Sequence, residues 1–195
     1  MDPAHQNELK RNAGYHAAGM VEDGMIVGLG TGSTVFFAME RLGERIARDG
    51  LSIAGVPTSY QAAIRARRYG IPLTSLDEHP DLDIAIDGAD QADPDLHLIK
   101  GRGAALLREK CVCDAARTVY IVVDPTKMVE TLNAPVPVEV LPFASSPVSR
   151  RLAALGASPA LREGTKKDGP VITDNGNFII DCDFGTITDP ESLET

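Results

Sequence analysis

Tryptophan is absent from this 195-residue sequence, and aromatic residues make up only 5% of it. Proteins that bind single-stranded nucleic acid usually stack bases on aromatic side chains, so the composition disfavours such a surface. Positive charge is also scarce, since 19 lysines and arginines stand against 28 aspartates and glutamates, for a net charge of −9. Phosphate backbones and anionic membranes repel a negative field, so we expect neither nucleic acid nor a membrane as a general partner.

Cysteine is also rare, and three cysteines cannot make a disulfide framework. No apolar run is long enough for a membrane helix, and the N-terminus lacks the apolar region of a signal peptide. The four histidines show no spacing typical of metal ligands. We therefore expect a cytoplasmic protein that binds no metal.

The order of apolar segments predicts an α/β protein with a second, smaller domain. Short apolar strands alternate with helices through the first two thirds of the chain, as in parallel sheets. From Val138 onwards, strands group around one helix, which indicates a small antiparallel α+β domain. Within it, Val171–Asp181 has Asn175-Gly176 at its centre and predicts a β-hairpin.

The stretch from Asp81 to Lys110 carries most of the candidate chemistry. A short apolar strand leads into an acidic turn with Asp87 and Asp90 three residues apart, and a second apolar step leads to Lys100. A glycine loop then opens a helix that carries Glu109, and such a loop presents backbone N–H groups to an anion. The segment thus offers carboxylates for hydroxyl groups and a lysine for negative charge.

Other interpretations of this stretch are open. An acidic run is often a solvated loop, and Glu109 could be a surface residue of the charged run Arg108-Glu109-Lys110. A calcium loop is excluded because the twelfth position counted from Asp83 is Pro94, where the loop needs glutamate. Acids, lysine, glycines and helix occur together in one short span, which favours a functional site.

A second motif follows the strand Met25–Gly30, where the sequence continues Thr31-Gly32-Ser33-Thr34 into a helix. The order of strand, glycine turn and helix is one that α/β proteins use to bind phosphate. The glycines fit neither the dinucleotide pattern nor the P-loop, so a purely structural turn is the alternative.

Two lysines and one turn complete the candidates. Lys127 lies just past the strand Val119–Val123, at the end where parallel sheets bind ligands, and Lys10 lies on the first helix. Either lysine could be a solvated charge. Thr58 and Ser59 precede the third helix, and they could face the ligand; because capping alone explains them, we expect them to cap the helix.

Several blocks, in this order, resemble the ribose-5-phosphate isomerase type A family: VGLGTGSTV, DIAIDGADQAD, LIKGRGAALLREK, IVVDPTK, PVPVEVLPFA and VITDNGNFIIDCDFG. The resemblance implies a Rossmann-like parallel-sheet catalytic core over residues 1–130 and a small α+β domain over residues 131–195. It implies interconversion of D-ribose 5-phosphate and D-ribulose 5-phosphate through an enediolate, in the non-oxidative pentose phosphate pathway. It also implies no metal or organic cofactor, and a homodimer or homotetramer.

The resemblance also assigns the site, with Glu109 as the base and with Asp87 and Lys100 as the other catalytic residues. The substrate-binding residues that it implies are Lys10, Thr31, Gly32, Ser33, Thr34, Asp87, Gly88, Ala89, Asp90, Lys100, Gly101, Arg102, Gly103 and Lys127.

Three features depart from the family pattern. Arg102 stands where many members have glycine, and Gln91 stands where many have glutamate. Members usually continue beyond the point matching Thr195 through a helix and a strand that returns to the core, so we expect that return to be missing here. Two other functions stay open at this point: a sugar-phosphate-binding regulatory protein, and an aminosugar-phosphate deaminase of related fold.

Overall fold

A computed structural model describes residues 2–194, which form two compact units. One unit contains residues 2–88 and Leu107–Thr126, and the other contains Ala89–Leu106 and residues 127–194. The expectation about the chain end at Thr195 lies outside the described residues. The helices are α1 (Pro3–Gly19), α2 (Ser33–Asp49), α3 (Tyr60–Arg68), α4 (Leu106–Asp114), α5 (Ser145–Ala154) and α6 (Pro190–Glu194). The strands are β1 (Ile26–Leu29), β2 (Ala54–Pro57), β3 (Ile84–Asp87), β4 (Gln91–Ala92), β5 (Leu98–Ile99), β6 (Val119–Ile121), β7 (Val136–Val140), β8 (Ser158–Leu161) and β9 (Phe178–Asp183).

The first unit is built on a parallel sheet with strand order β2-β1-β3-β6, and the predicted α/β class is confirmed. Its central strands are apolar on both faces because helices cover both sides of a parallel sheet. The order reverses at β1, since β2 lies on one side of it and β3 on the other. Ligands bind such sheets in the crevice at the carboxyl ends of the strands where the order reverses. We therefore expect the ligand site at the carboxyl ends of β1 and β3.

Successive side chains of a strand point to opposite faces of the sheet, so their contacts show which helices cover each face. Leu29 and Ile86 join the large core cluster that contains α1, α2 and α3, whereas Ala85 packs with Val112 of α4. A Cβ atom on Gly28 would lie 2.5 Å from Val112 Cγ1, so α4 packs directly on the backbone of β1. Glycine at this position therefore lets α4 approach the sheet.

The second unit is built on the antiparallel sheet β7-β9-β8, with α5 over one apolar cluster that includes Ile180 and Cys182. A separate two-stranded ribbon pairs β4 with β5. The antiparallel α+β character predicted for this part of the chain is thus present. The boundary after residue 130 stays a prediction.

The hairpin predicted over Val171–Asp181 is wrong in its first half. The turn at Asn175-Gly176 is present, but residues 171–177 form no strand, and β9 pairs with β7 and β8 instead. The carboxylate of Glu139 on β7 accepts hydrogen bonds at 2.8 to 3.0 Å from the side chains of Thr173, Asn175 and Asn177. These contacts fold the segment around β7, because three polar side chains converge on one oxygen.

Candidate active site

Asp87 ends β3 in the crevice that the strand order marks, and its side chain is fully buried. Its Oδ1 accepts hydrogen bonds from the backbone N–H groups of Gly88 at 2.8 Å and Thr31 at 3.2 Å. A Cβ atom on Gly30 would lie only 2.2 Å from the same oxygen. Glycine at position 30 therefore makes room for a carboxylate that the backbone holds in one place.

Three hydroxyl groups support the loop after β1. Thr31 Oγ1 lies 2.8 Å from Thr58 Oγ1 and 2.7 Å from Ser59 Oγ. Ser59 accepts a hydrogen bond from Ala62 N at 3.0 Å, which confirms it as the predicted cap of α3. Thr58 was also expected to cap this helix, but its hydroxyl donates to Leu29 O at 3.2 Å instead. Thr31 thus uses its N–H and its hydroxyl within the protein, so it holds the loop in place. Thr58 and Ser59 contribute to this site, although capping alone explained them in the sequence.

The rest of this loop forms the start of α2. Gly32 has φ of +135°, which favours glycine, and α2 begins at Ser33. Phe36 N donates to Gly32 O at 3.1 Å, and the N–H groups of the first turn have no acceptor within a helix. Ser33 is exposed and Thr34 is buried. Together with the positive end of the helix dipole, this turn suits an anion such as phosphate.

Glu109 is buried, with 5% of its surface exposed, so it is not the surface residue that the charged run suggested. It lies one helical turn before Val112, which packs on Ala85. Because α4 connects parallel strands, it runs antiparallel to them and starts at their carboxyl edge. Asp87 follows Ala85 by two residues on the same face of the strand. Glu109 and Asp87 are therefore two buried carboxyl groups on the α4 side of the sheet, both at its carboxyl edge.

Lys10 is half-buried, with its Nζ 3.8 Å from Oδ2 of Asp124. Asp124 is buried, and it also accepts hydrogen bonds from the N–H and hydroxyl of Thr126 and from Gln6. Burial opposes ionisation of Asp124, but these hydrogen bonds and Lys10 together lower its pKa. Sequence reasoning missed Gln6 and Asp124. Asp124 comes just after a strand of the parallel sheet, and the same position in the sequence is what indicated Lys127 as a ligand-binding residue.

The second unit holds a separate group of predicted residues. Asp90, Arg102 and Lys127 line one cleft of about 690 Å³. Asp90 Oδ2 accepts a hydrogen bond at 2.9 Å from the backbone N–H of Arg102. Gly101 has φ of +105°, and a Cβ atom there would lie 3.0 Å from Pro137. Lys100 is half-buried. The loop is therefore tied down in a conformation that requires glycine.

The predicted residues accordingly divide between the units. The parallel-sheet unit contains Lys10, Thr31, Gly32, Ser33, Thr34, Asp87, Gly88 and Glu109. The antiparallel unit contains Ala89, Asp90, Lys100, Gly101, Arg102, Gly103 and Lys127. Across residues 2–194, no three His, Cys, Asp or Glu side chains cluster in a way that could hold a metal ion. No helix in that range has the length and apolar character needed to cross a membrane.

Solved structures of related proteins superpose closely on this chain. D-ribose-5-phosphate isomerase in complex with phospho-erythronic acid gives a TM-score of 0.92 at 49% identity, covering 96% of this chain and 83% of that one. Ribose 5-phosphate isomerase A from Methanocaldococcus jannaschii also gives 0.92, at 45% identity, covering 96% and 84% of the two chains.

Sequence comparison gives the same result. Ribose-5-phosphate isomerase A of Methanoregula boonei is 65% identical over 185 residues, which span 95% of this chain and 78% of the relative. The enzyme of that name from Methanosarcina acetivorans is 56% identical over 184 residues, spanning 94% and 79%. The family model for ribose 5-phosphate isomerase A (phosphoriboisomerase A) matches residues 54–195. The chain belongs to the ribose 5-phosphate isomerase A family.

Proposed function

We propose that this protein interconverts D-ribose 5-phosphate and D-ribulose 5-phosphate through an enediolate. Family membership supports the activity. The observation in this molecule that carries the proposal is the pair of buried carboxyl groups, Asp87 and Glu109, on one side of the parallel sheet at its carboxyl edge. Isomerisation of an aldose to a ketose moves a proton between neighbouring carbons, and a carboxylate can accept it and return it.

Glu109 takes the role of the base, removing the proton from C2 and delivering it to C1. Its burial supports this role because a carboxyl group enclosed by packed residues is held in one position. Asp87 and Asp90 orient sugar hydroxyl groups and assist opening of the furanose ring. The backbone N–H groups of Gly88 and Thr31 hold Asp87 in one position, so this group is pre-organised.

Lys100 and the N–H groups of its glycine loop stabilise the oxyanion of the enediolate. Charge that develops in the transition state is best stabilised by donors already held in place. The hydrogen bond between Asp90 and the Arg102 backbone, together with the constrained Gly101, supports such a fixed loop. Lys127, which lines the cleft of Asp90 and Arg102, binds the substrate.

The phosphate group is bound by the first turn of α2, through Ser33 and Thr34, with Lys10 as a positive charge of the same unit. The protein carries a net charge of −9, so a phosphate requires such a local positive site. Thr31 has a positioning role in this proposal, because its polar groups contact Asp87, Thr58 and Ser59. Phosphate is remote from the reacting carbons, so its binding energy serves to orient the sugar.

The test is isomerisation of ribose 5-phosphate in D₂O, with NMR detection of the product. We expect ribulose 5-phosphate with solvent deuterium at C1, because a carboxyl base exchanges its proton with water during the reaction. Ketose that contains no deuterium would contradict a base that exchanges its proton with water during the transfer. A regulatory protein would bind the sugar phosphate without forming product, and a deaminase would release ammonia from an aminosugar phosphate.

The proposal extends to a cytoplasmic homodimer or homotetramer. Large apolar side chains of the second unit are exposed, with Phe143 fully accessible and Leu141 and Leu155 about two-thirds so, which supports burial by another copy. The cysteines in residues 2–194 form no disulfide bond, in keeping with a reducing compartment. Light scattering after size-exclusion chromatography gives the mass, and a monomer would contradict the oligomer.

A further inference from the structure

Arg162, directly after β8, has a guanidinium group that is largely buried, with 17% of the side chain exposed. Its Nε donates to Oδ2 of Asp181 on β9 at 2.8 Å, and its Nη2 donates to Oδ1 of the same carboxylate. This is the bidentate geometry in which arginine binds carboxylates most strongly. The ion pair therefore fixes the plane of the guanidinium group.

The other edge of the same guanidinium contacts the glycine loop, about sixty residues earlier in the chain. Arg162 Nη1 donates to the backbone carbonyl oxygens of Gly101 at 3.1 Å and Arg102 at 3.0 Å. A guanidinium group carries five N–H donors, so four of the five are accounted for by Asp181 and this loop. Asp181 balances the charge, and the contribution of Arg162 to the loop is therefore mainly geometric.

Two further hydrogen bonds hold the loop. Asp90 accepts a hydrogen bond from the N–H of Arg102, and Ala104 N donates to Gly101 O at 3.0 Å in a tight turn. Both carbonyl groups that Arg162 binds belong to the two residues immediately after Lys100. Fixing them fixes the path of the chain as it leaves Lys100.

A purely structural role for the ion pair is the simpler alternative, since β8 is an edge strand next to β9. Any cation could neutralise Asp181 for that purpose. Only a guanidinium group can bind both carboxylate oxygens and two neighbouring carbonyl oxygens at once, because a lysine ammonium offers three donors from a single point. Arg162 also binds the loop after Lys100 with the edge of its guanidinium group that does not face Asp181, and this contact favours a role in the reaction.

We propose that Arg162, oriented by Asp181, is a positioning residue that holds the Lys100–Gly103 loop in its reactive conformation. The inference rests on the proposed isomerase function, in which Lys100 stabilises the enediolate. Displacing a catalytic group by about 1 Å can cost about 10²-fold in rate. The phosphate-binding residues proposed above belong to the parallel-sheet unit and Arg162 belongs to the other unit, so we expect the effect to fall on kcat and to leave KM within about threefold.

The experiment is a double-mutant cycle on kcat with Arg162→Met and Lys100→Met. Arg162→Met lowers kcat by about 10²-fold in the otherwise unchanged enzyme but by less than about threefold when Lys100 is already replaced, since residues that act through one another are not additive. Arg151→Met is the matched control, because Arg151 is an exposed arginine of the same unit, on α5. We expect this control to keep normal kcat.

Equal losses in both backgrounds would show a general structural defect and overturn the inference, as would normal kcat for Arg162→Met. If Arg162→Met does not fold, Arg162→Lys and Asp181→Asn take its place in the same cycle. Equal losses in both backgrounds, or a normal kcat, would again overturn the inference. An unmodified chain that fails to isomerise ribose 5-phosphate would overturn the proposed function itself. An active enzyme that tolerates these changes would overturn only the role of Arg162.

Discussion

Gly30→Ala tests whether the backbone-held carboxylate of Asp87 is needed for catalysis. The new Cβ atom would lie 2.2 Å from Asp87 Oδ1, and ordinary contact begins at 3.4 Å. The carboxylate must therefore withdraw by roughly 1 Å, which breaks or stretches its hydrogen bonds from Gly88 at 2.8 Å and Thr31 at 3.2 Å. Hydrogen bonds to a charged group contribute about 1.5–3 kcal/mol each, so the displaced carboxylate loses its fixed orientation.

We expect Gly30→Ala to lower kcat for ribose 5-phosphate by about 10²-fold or more, since that is the cost of misplacing a reactive group by about 1 Å. Overpacking also lowers the free energy of unfolding by about 1–3 kcal/mol. The assay is the rate of ribulose 5-phosphate formation, with thermal unfolding measured on the same sample. Folded protein must be shown at the assay temperature.

Gly55→Ala is the matched control. It places a Cβ atom 2.4 Å from Leu29 Cδ1 on the neighbouring strand, so it also crowds the sheet, but the displaced group is an apolar side chain. The Cβ atom at position 30 differs in that it also lies 2.6 Å from the backbone oxygen of Ile86. This variant is expected to lose stability and to keep kcat near normal. If both variants lose kcat alike, or if Gly30→Ala retains normal kcat, the assignment of a held Asp87 to catalysis fails.

Three further outcomes are expected. Glu109→Gln should lower kcat by at least about 10⁴-fold at nearly unchanged KM, because it keeps the shape and removes the proton acceptor; near-normal kcat would place the base elsewhere. Asp124→Asn should raise KM for ribose 5-phosphate, because it removes the carboxylate that pairs with Lys10. The pKa of Asp124 is lowered in the folded state, so the ionised carboxylate stabilises the fold fully above about pH 4, and this stabilisation is lost as the pH falls through the lowered pKa. Melting curves of the variant and the unmodified protein should therefore differ at about pH 7 and converge at low pH. At pH 8, iodoacetamide should label the exposed Cys111 and spare Cys182, because burial raises the pKa of Cys182 to about 11; equal labelling measured by peptide mass spectrometry would contradict this.

Local patterns in the sequence were sufficient to predict the α/β class, the alternation of strands and helices in the first unit, and the cap at Ser59. Each depends on residues that are close in the chain: apolar alternation, a hydroxyl before a helix, a glycine after a strand. The same patterns failed at residues 171–177. There the turn chemistry of Asn175-Gly176 was identified correctly, but contacts with Glu139 on a distant strand decided how the segment folds.

The candidate site shows the same division. Residue types and their spacing, together with the family blocks, were enough to propose Asp87, Lys100 and Glu109 as candidates, and their roles stay predictions. They could not decide whether Glu109 is a surface charge or a buried acid, because that depends on how α4 packs on Gly28 of β1. The contacts of Lys10 with Asp124, and of Arg162 with the glycine loop, join residues 60 or more positions apart. Only chain folding brings such pairs together, so the sequence determined which chemical groups are available, and the tertiary structure decided which of them are buried and held in place.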